Sequence, residues 1–164
     1  MKSGSGRVKY FAYGSNMAPE RLAAYSPDCQ YVGPARLTDH RLAFNRRSVR
    51  TKTGVADISF AYGMTVWGAL YDIDEADLAT IDEKEGTTID AYKRMRVTVL
   101  TLAEEPVEAI TYKVVKEEPA EVTPSSEYVD GLIAGARACG LPQPYLAFLD
   151  AIRADCEGSA DVRY

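Results

Sequence analysis

The apolar positions of this chain alternate at strand spacing through its first two thirds and shift to helical spacing near the end. Val8–Ala12 is an apolar run of strand character. It leads straight into Tyr13-Gly14-Ser15-Asn16, a cluster of turn-forming residues in which Gly tolerates positive φ and Ser and Asn bond local backbone. Ala18–Ala24, with Pro19 near its start, predicts a short helix. Tyr31–Leu37 and Arg41–Asn45 read as two strands on either side of a polar turn at Thr38-Asp39, and Arg46–Gly54 as a basic loop. Val55–Phe60 and Thr65–Ile73 read as strands, the second rich in Val, Trp, Leu and Tyr. Asp74 then caps a helix with Glu75 and Asp77 in its first turn, Leu78 and Ile81 on its apolar face and Gly86 as its stop. Arg94–Leu102 and Val107–Val115 alternate and predict a hairpin across Glu104-Glu105-Pro106. The charged segment Glu117–Pro124 connects them to two more helices. Ser126–Cys139 carries the stripe Val129, Leu132, Ile133 and Ala136, and Pro142–Ala154 carries Leu146, Leu149 and Ile152. Strands first and helices afterwards predict an α+β fold with an antiparallel or mixed sheet, suited to closure into a barrel.

Composition narrows the chemistry. At 164 residues the chain is the length of one ordinary domain. We divide it into a leader (1–7), one domain (8–156) and a C-terminal tail (157–164). The net charge of −5 predicts no nucleic-acid partner and no anionic membrane surface. No apolar run approaches the length of a membrane span and no targeting segment is evident, so a cytoplasmic location is expected. A single His, His40, excludes a multi-His metal site. Three scattered cysteines, Cys29, Cys139 and Cys156, argue against a disulfide framework and against a Cys nucleophile. Carboxylates, hydroxyls and backbone amides are left, and neither a metal nor an organic cofactor is expected.

Two features offer chemistry. A strand ending in Gly14-Ser15-Asn16 just before a helix aims backbone N–H groups at one point, a nest for a carboxylate, a phosphate or a developing oxyanion; the same residues also serve as an ordinary strand-to-helix turn. The second feature is Glu85. Leu78, Ile81 and Glu85 share one helix face, whereas Glu83 and Lys84 point elsewhere, so Glu85 falls on the core-facing stripe at the helix end. Desolvation and the helix dipole there both oppose the charged form, the direction that a general acid or base near neutrality needs; a frayed, solvated last-turn Glu is the alternative. Arg46, Arg47, Arg50 and Lys52 form a basic patch without interleaved aromatics, read first as a solvated loop, second as a clamp for an acidic ligand and a distant third as a nucleic-acid contact. His40 is expected on the surface.

The same residues resemble a known family. Tyr13-Gly14-Ser15-Asn16 after an apolar strand resembles the Tyr-Gly-Ser-Asn signature of the γ-glutamylcyclotransferase-like (AIG2-like) superfamily. Val66-Trp67-Gly68 resembles its Val-Trp-Gly strand, and Ile81-Asp82-Glu83-Lys84-Glu85-Gly86 its Leu-Asp-x-x-Glu-Gly helix end, with Tyr92 seven residues beyond the Glu. Pro124-Ser125-Ser126-Glu127-Tyr128 and Gly140-Leu141-Pro142 are similar to its Pro-Ser-x-x-Tyr and Gly-Leu-Pro elements. The five fall in family order over roughly residues 8–153. The resemblance implies a small mixed or antiparallel β-barrel with flanking helices and a cavity at its mouth for a γ-glutamyl group. It implies a catalytic Glu85 and a substrate loop over Tyr10, Phe11, Ala12, Tyr13, Gly14, Ser15 and Asn16, with Tyr92 and Tyr128 in the pocket. It also implies cyclisation of a γ-glutamyl compound to 5-oxoproline, and either a homodimer or a monomer. A trimming enzyme acting on a larger γ-glutamylated amine and a non-catalytic γ-glutamyl-binding module are the other readings. Phe60-Ala61-Tyr62-Gly63-Met64 stands where family members often carry a Pro-Gly-type turn, which leaves the leaving group open.

Overall fold

The computed structural model describes residues 6–160. Its core is a closed five-stranded barrel in the order β1-β3-β2-β4-β5. The strands are β1 (Arg7–Ala12), β2 (Gln30–Arg47), β3 (Gly54–Asp74), β4 (Tyr92–Thr101) and β5 (Pro106–Val114). Every neighbouring pair is antiparallel except the closing one, where β1 meets β5 in parallel at Tyr10 and Ile110. Helices α1 (Pro19–Ala23), α2 (Leu78–Glu85), α3 (Ser126–Ala138) and α4 (Gln143–Ala160) flank it. The mixed barrel with flanking helices is thus present. No described helix is long and apolar enough to cross a membrane.

Strand burial follows from what covers each face. In β1, Tyr10, Phe11 and Ala12 are buried in succession, as are Ala69, Leu70 and Tyr71 of β3 opposite them. Residues buried without alternation lie between two apolar layers, here the barrel interior and a helical cover. That cover is α3, through Val129, Leu132, Ile133 and Ala136, packed on α4, through Tyr145, Leu146 and Leu149. Each Val, Leu and Ile side chain among them contributes roughly 1.5–3 kcal/mol by leaving water. Gly68 has its own reason: a Cβ there would lie 2.5 Å from the Ala12 carbonyl and 2.7 Å from the Phe11 ring. Only Gly lets β1 and β3 approach this closely.

Several sequence expectations are corrected. The two strands separated at Thr38-Asp39 are one strand, β2, and Val55–Phe60 joins Thr65–Ile73 as one strand, β3. The polar residues at the break form a bulge, not a turn: the register shifts between Thr38 and His40, and the Asp39 carboxylate accepts from the Gly63 N–H at 2.9 Å. The basic loop shrinks to the turn of residues 48–53, because Arg46 and Arg47 pair with Val55 and Gly54. The leader boundary also moves. Arg7 opens β1 with its guanidinium on Asp72 at 2.8 Å, and the Gly6 carbonyl accepts from the Glu75 N–H. Helix α4 runs through Ala160, into the expected tail. Residues 1–5 and 161–164 lie outside the described part. His40 is half-buried on β2, edge-on to Phe60, and not fully exposed.

Candidate active site

A small cavity of about 40 Å³ opens at the end of the barrel where β1 stops. Its walls include Tyr10, Phe11, Tyr13, Gly14, Ser15, Asn16, Glu85, Tyr92 and Tyr128. Nine of the ten residues singled out from the sequence therefore meet at one place. Ala12 does not: it is buried in the β1–β3 ladder opposite Ala69, with its carbonyl against Gly68. The reason given for Gly14 is also corrected. Gly14 has no positive φ, but a Cβ would sit 3.6 Å from Ala56 and 3.8 Å from the Tyr128 hydroxyl, taking up space in the slot.

The turn is closed by the Met17 N–H bonding back to the Gly14 carbonyl at 3.1 Å. Glu85 arrives from the other side. Asp74 starts the helical segment by accepting from the Ala76 N–H at 3.1 Å, and Leu78 and Ile81 anchor α2 in the core. Gly86, left-handed at φ 71°, stops the helix one residue after Glu85. The Glu85 side chain is 15% exposed.

Asn16 holds the carboxylate. It is buried, and its amide donates to Glu85 Oε1 at 3.2 Å and to the Tyr10 hydroxyl at 3.2 Å. Lys84 supplies the remaining contacts and was missed in the sequence. Its ammonium does not point elsewhere: it donates to Ser15 Oγ at 2.8 Å, to Asn16 Oδ1 at 3.0 Å and to Glu85 Oε1 at 3.4 Å. All contacts fall on Oε1. Oε2 accepts no hydrogen bond from any described residue.

The surrounding tyrosines stay neutral. Burial, and after it the Glu85 charge, pushes the Tyr10 phenol well above its ordinary value. Burial does the same to Tyr13 and Tyr92, and lifts Tyr128 to about 12. Their protons have different destinations. Tyr13 donates to the Tyr112 carbonyl at 2.5 Å and Tyr92 to the Ala56 carbonyl at 2.7 Å, so both act as wall. The Tyr128 hydroxyl accepts from the Ala56 N–H at 3.0 Å and the Tyr10 hydroxyl accepts from Asn16. Neither Tyr10 nor Tyr128 donates its proton to a described residue, which leaves two O–H donors at the cavity. Ala56, Thr111 and Tyr112 complete the lining and were not singled out from the sequence.

Comparison with known proteins agrees with this geometry. The model of the AIG2-like family matches residues 65–149. The gamma-glutamylcyclotransferase of Bos taurus is 32% identical over 147 residues, covering 87% of this chain and 77% of that protein. The Homo sapiens protein of the same name is 33% identical over the same span and shares. The chain belongs to the AIG2-like, γ-glutamylcyclotransferase family. A solved γ-glutamyl cyclotransferase superposes with a TM-score of 0.84 at 30% identity, over 89% of this chain and 88% of the other. This member of the family is an enzyme whose polar slot sits at the barrel end. Among its described residues no group of three His, Cys, Asp or Glu side chains is gathered as a metal centre.

Proposed function

We propose that this enzyme cyclises the γ-glutamyl group of a γ-glutamyl amino acid or amine to 5-oxoproline and releases the free amine, with Glu85 as general base and acid. The observation that carries this reading is the half-occupied carboxylate. Oε1 is tethered by Asn16 and Lys84, and Oε2, on a side chain lining the slot, has no hydrogen-bond partner among the described residues.

The substrate's own α-amine attacks its γ-carbonyl carbon. The ring C–N bond forms, the bond to the departing amine breaks, and the sum consumes neither water nor an oxidant. The α-amine arrives as an ammonium and ends as a lactam N–H, so two protons must pass to the departing nitrogen, which leaves as an ammonium. Glu85 Oε2 accepts each proton and returns it on the other side. Donors for the α-carboxylate and the oxyanion come from the N–H groups of Gly14–Asn16 and the hydroxyls of Tyr10 and Tyr128. Because the attack is intramolecular, the narrow slot contributes mainly by holding a folded, near-attack substrate, an effect that reaches roughly 7–11 kcal/mol in well-aligned systems.

The test is 5-oxoproline release from a panel of γ-glutamyl amino acids and γ-glutamyl amines. We expect one 5-oxoproline per amine released on at least one member. A protein inert on the whole panel overturns the reading.

A further inference from the structure

A second cavity, of about 130 Å³, adjoins the slot and shares Ser15 and Tyr128 with it. Its floor is the start of α3, and its rim carries Arg21 of α1 and Arg50 of the β2–β3 turn. In the reaction proposed above the slot holds the glutamyl group, and the adjoining cavity is the space beside it for whatever that group is attached to. Tyr128, whose hydroxyl has a proton left to donate, lines both cavities.

The two arginines are placed for a ligand and are not engaged by the fold. Neither forms a hydrogen bond or ion pair with a described residue, although the Arg21 charge is felt at the Tyr128 hydroxyl. Arg50 stands on a built turn: the Ser48 N–H bonds the Thr53 carbonyl at 2.8 Å and the Lys52 N–H bonds the Ser48 carbonyl at 2.8 Å. Arg47 clamps the same turn by donating to the Lys52 carbonyl at 2.6 Å. One acidic side chain, Glu127, faces the cavity as well. Two guanidinium groups against one carboxylate leave the site net positive.

We infer that this cavity seats the leaving group and that Arg21 and Arg50 hold a carboxylate on it. The inference rests on the reaction proposed above. It assigns the basic turn a role in specificity: the enzyme favours γ-glutamyl compounds whose released amine carries a negative charge over otherwise identical neutral ones. Guanidinium–carboxylate pairing suits this role, because it is directional and always charged.

The experiment compares kcat/KM on γ-glutamyl-alanine and γ-glutamyl-alaninamide for the wild type, Arg21→Gln, Arg50→Gln, the charge reversal Arg50→Glu, and Glu127→Gln. Both arginines are exposed, so folding is expected to persist and is checked by thermal melting. The wild type is expected to favour the carboxylate substrate at least tenfold. Each Arg→Gln change should remove several-fold on that substrate, mainly through KM, and leave the amide substrate within about twofold. Arg50→Glu should reverse or abolish the preference, and Glu127→Gln should increase it. Equal losses on both substrates, or a wild type without preference, overturn the subsite while the cyclisation reading stands. A wild type inert on both overturns the two together.

Discussion

Asp57 and Glu85 each have an asparagine and a lysine for company, and the two clusters differ in how many carboxylate oxygens are taken. Asp57 is completely buried. Its Oδ2 accepts from Asn45 at 2.8 Å and from Lys113 at 3.1 Å, and its Oδ1 accepts from the Val114 N–H at 3.0 Å. Both oxygens are held, and the result fastens the far half of the β2–β3 hairpin to the end of β5. Glu85 is held through Oε1 alone, at 3.2 and 3.4 Å, and remains partly exposed. The same side-chain types build a fastener when both carboxylate oxygens are held and, in the reaction we propose, a proton carrier when one oxygen is left over. Removing one partner of such a buried, bonded carboxylate leaves the remaining polar groups uncompensated, which is why the cluster is expected to matter for stability.

The comparison breaks first at Glu85. Glu85→Gln keeps the shape and removes the proposed base; kcat for 5-oxoproline release is expected to fall about 10³-fold, within the span for positioned general acid–base groups. Lys84 sharpens it next. Lys84→Met should lower kcat/KM about tenfold, because the ammonium that ties Ser15 and Asn16 to Glu85 Oε1 is gone. Lys84→Arg should largely restore the rate. A loss matched by an equal fall in thermal stability would make Lys84 merely structural. The smallest effect belongs to a third carboxylate, Asp82, one turn back on α2. Burial pushes its carboxyl up, but the hydrogen bonds from Arg94, at 2.7 and 2.5 Å, and from Tyr112 outweigh this and hold it below the ordinary value. A lowered folded-state value means the stabilisation is present above the unfolded carboxyl's titration and is lost as pH falls through the folded one. Asp82→Asn should therefore cost about 1 kcal/mol in urea melts at pH 7 and much less near pH 3, with activity retained.

What the sequence makes legible is local. The Glu85 face follows from the spacing of Leu78 and Ile81, and the Gly14-Ser15-Asn16 turn follows from its residue types. The Asp57 cluster could not be read that way. Its partners lie 12, 56 and 57 positions away, and only the barrel's closure brings them together. Lys84 was misread because helical phase fixes where a Cβ points and not where a four-carbon stem ends. Its ammonium returns over Tyr25, 5.7 Å from the ring centroid, to reach the turn. The unbroken β2 and β3 were hidden for the opposite reason: Thr38-Asp39 and Gly63 are turn residues by type, and the long ladder takes them up in bulges. The role of Tyr128 was expected from resemblance alone, and its free hydroxyl proton is a property of the folded backbone at Ala56.

The central claim is that one carboxylate carries protons and the other carries structure. The measurement that tests it most directly is kcat and unfolding free energy on Glu85→Gln and Asp57→Asn side by side. The account predicts a crossing. Glu85→Gln loses about 10³-fold in kcat and unfolds within about 1 kcal/mol of the wild type, whereas Asp57→Asn loses about 3 kcal/mol of stability and keeps kcat within several-fold where it remains folded. If Glu85→Gln kept its activity, or if both variants lost stability and activity together, the division of labour between the two clusters would be contradicted.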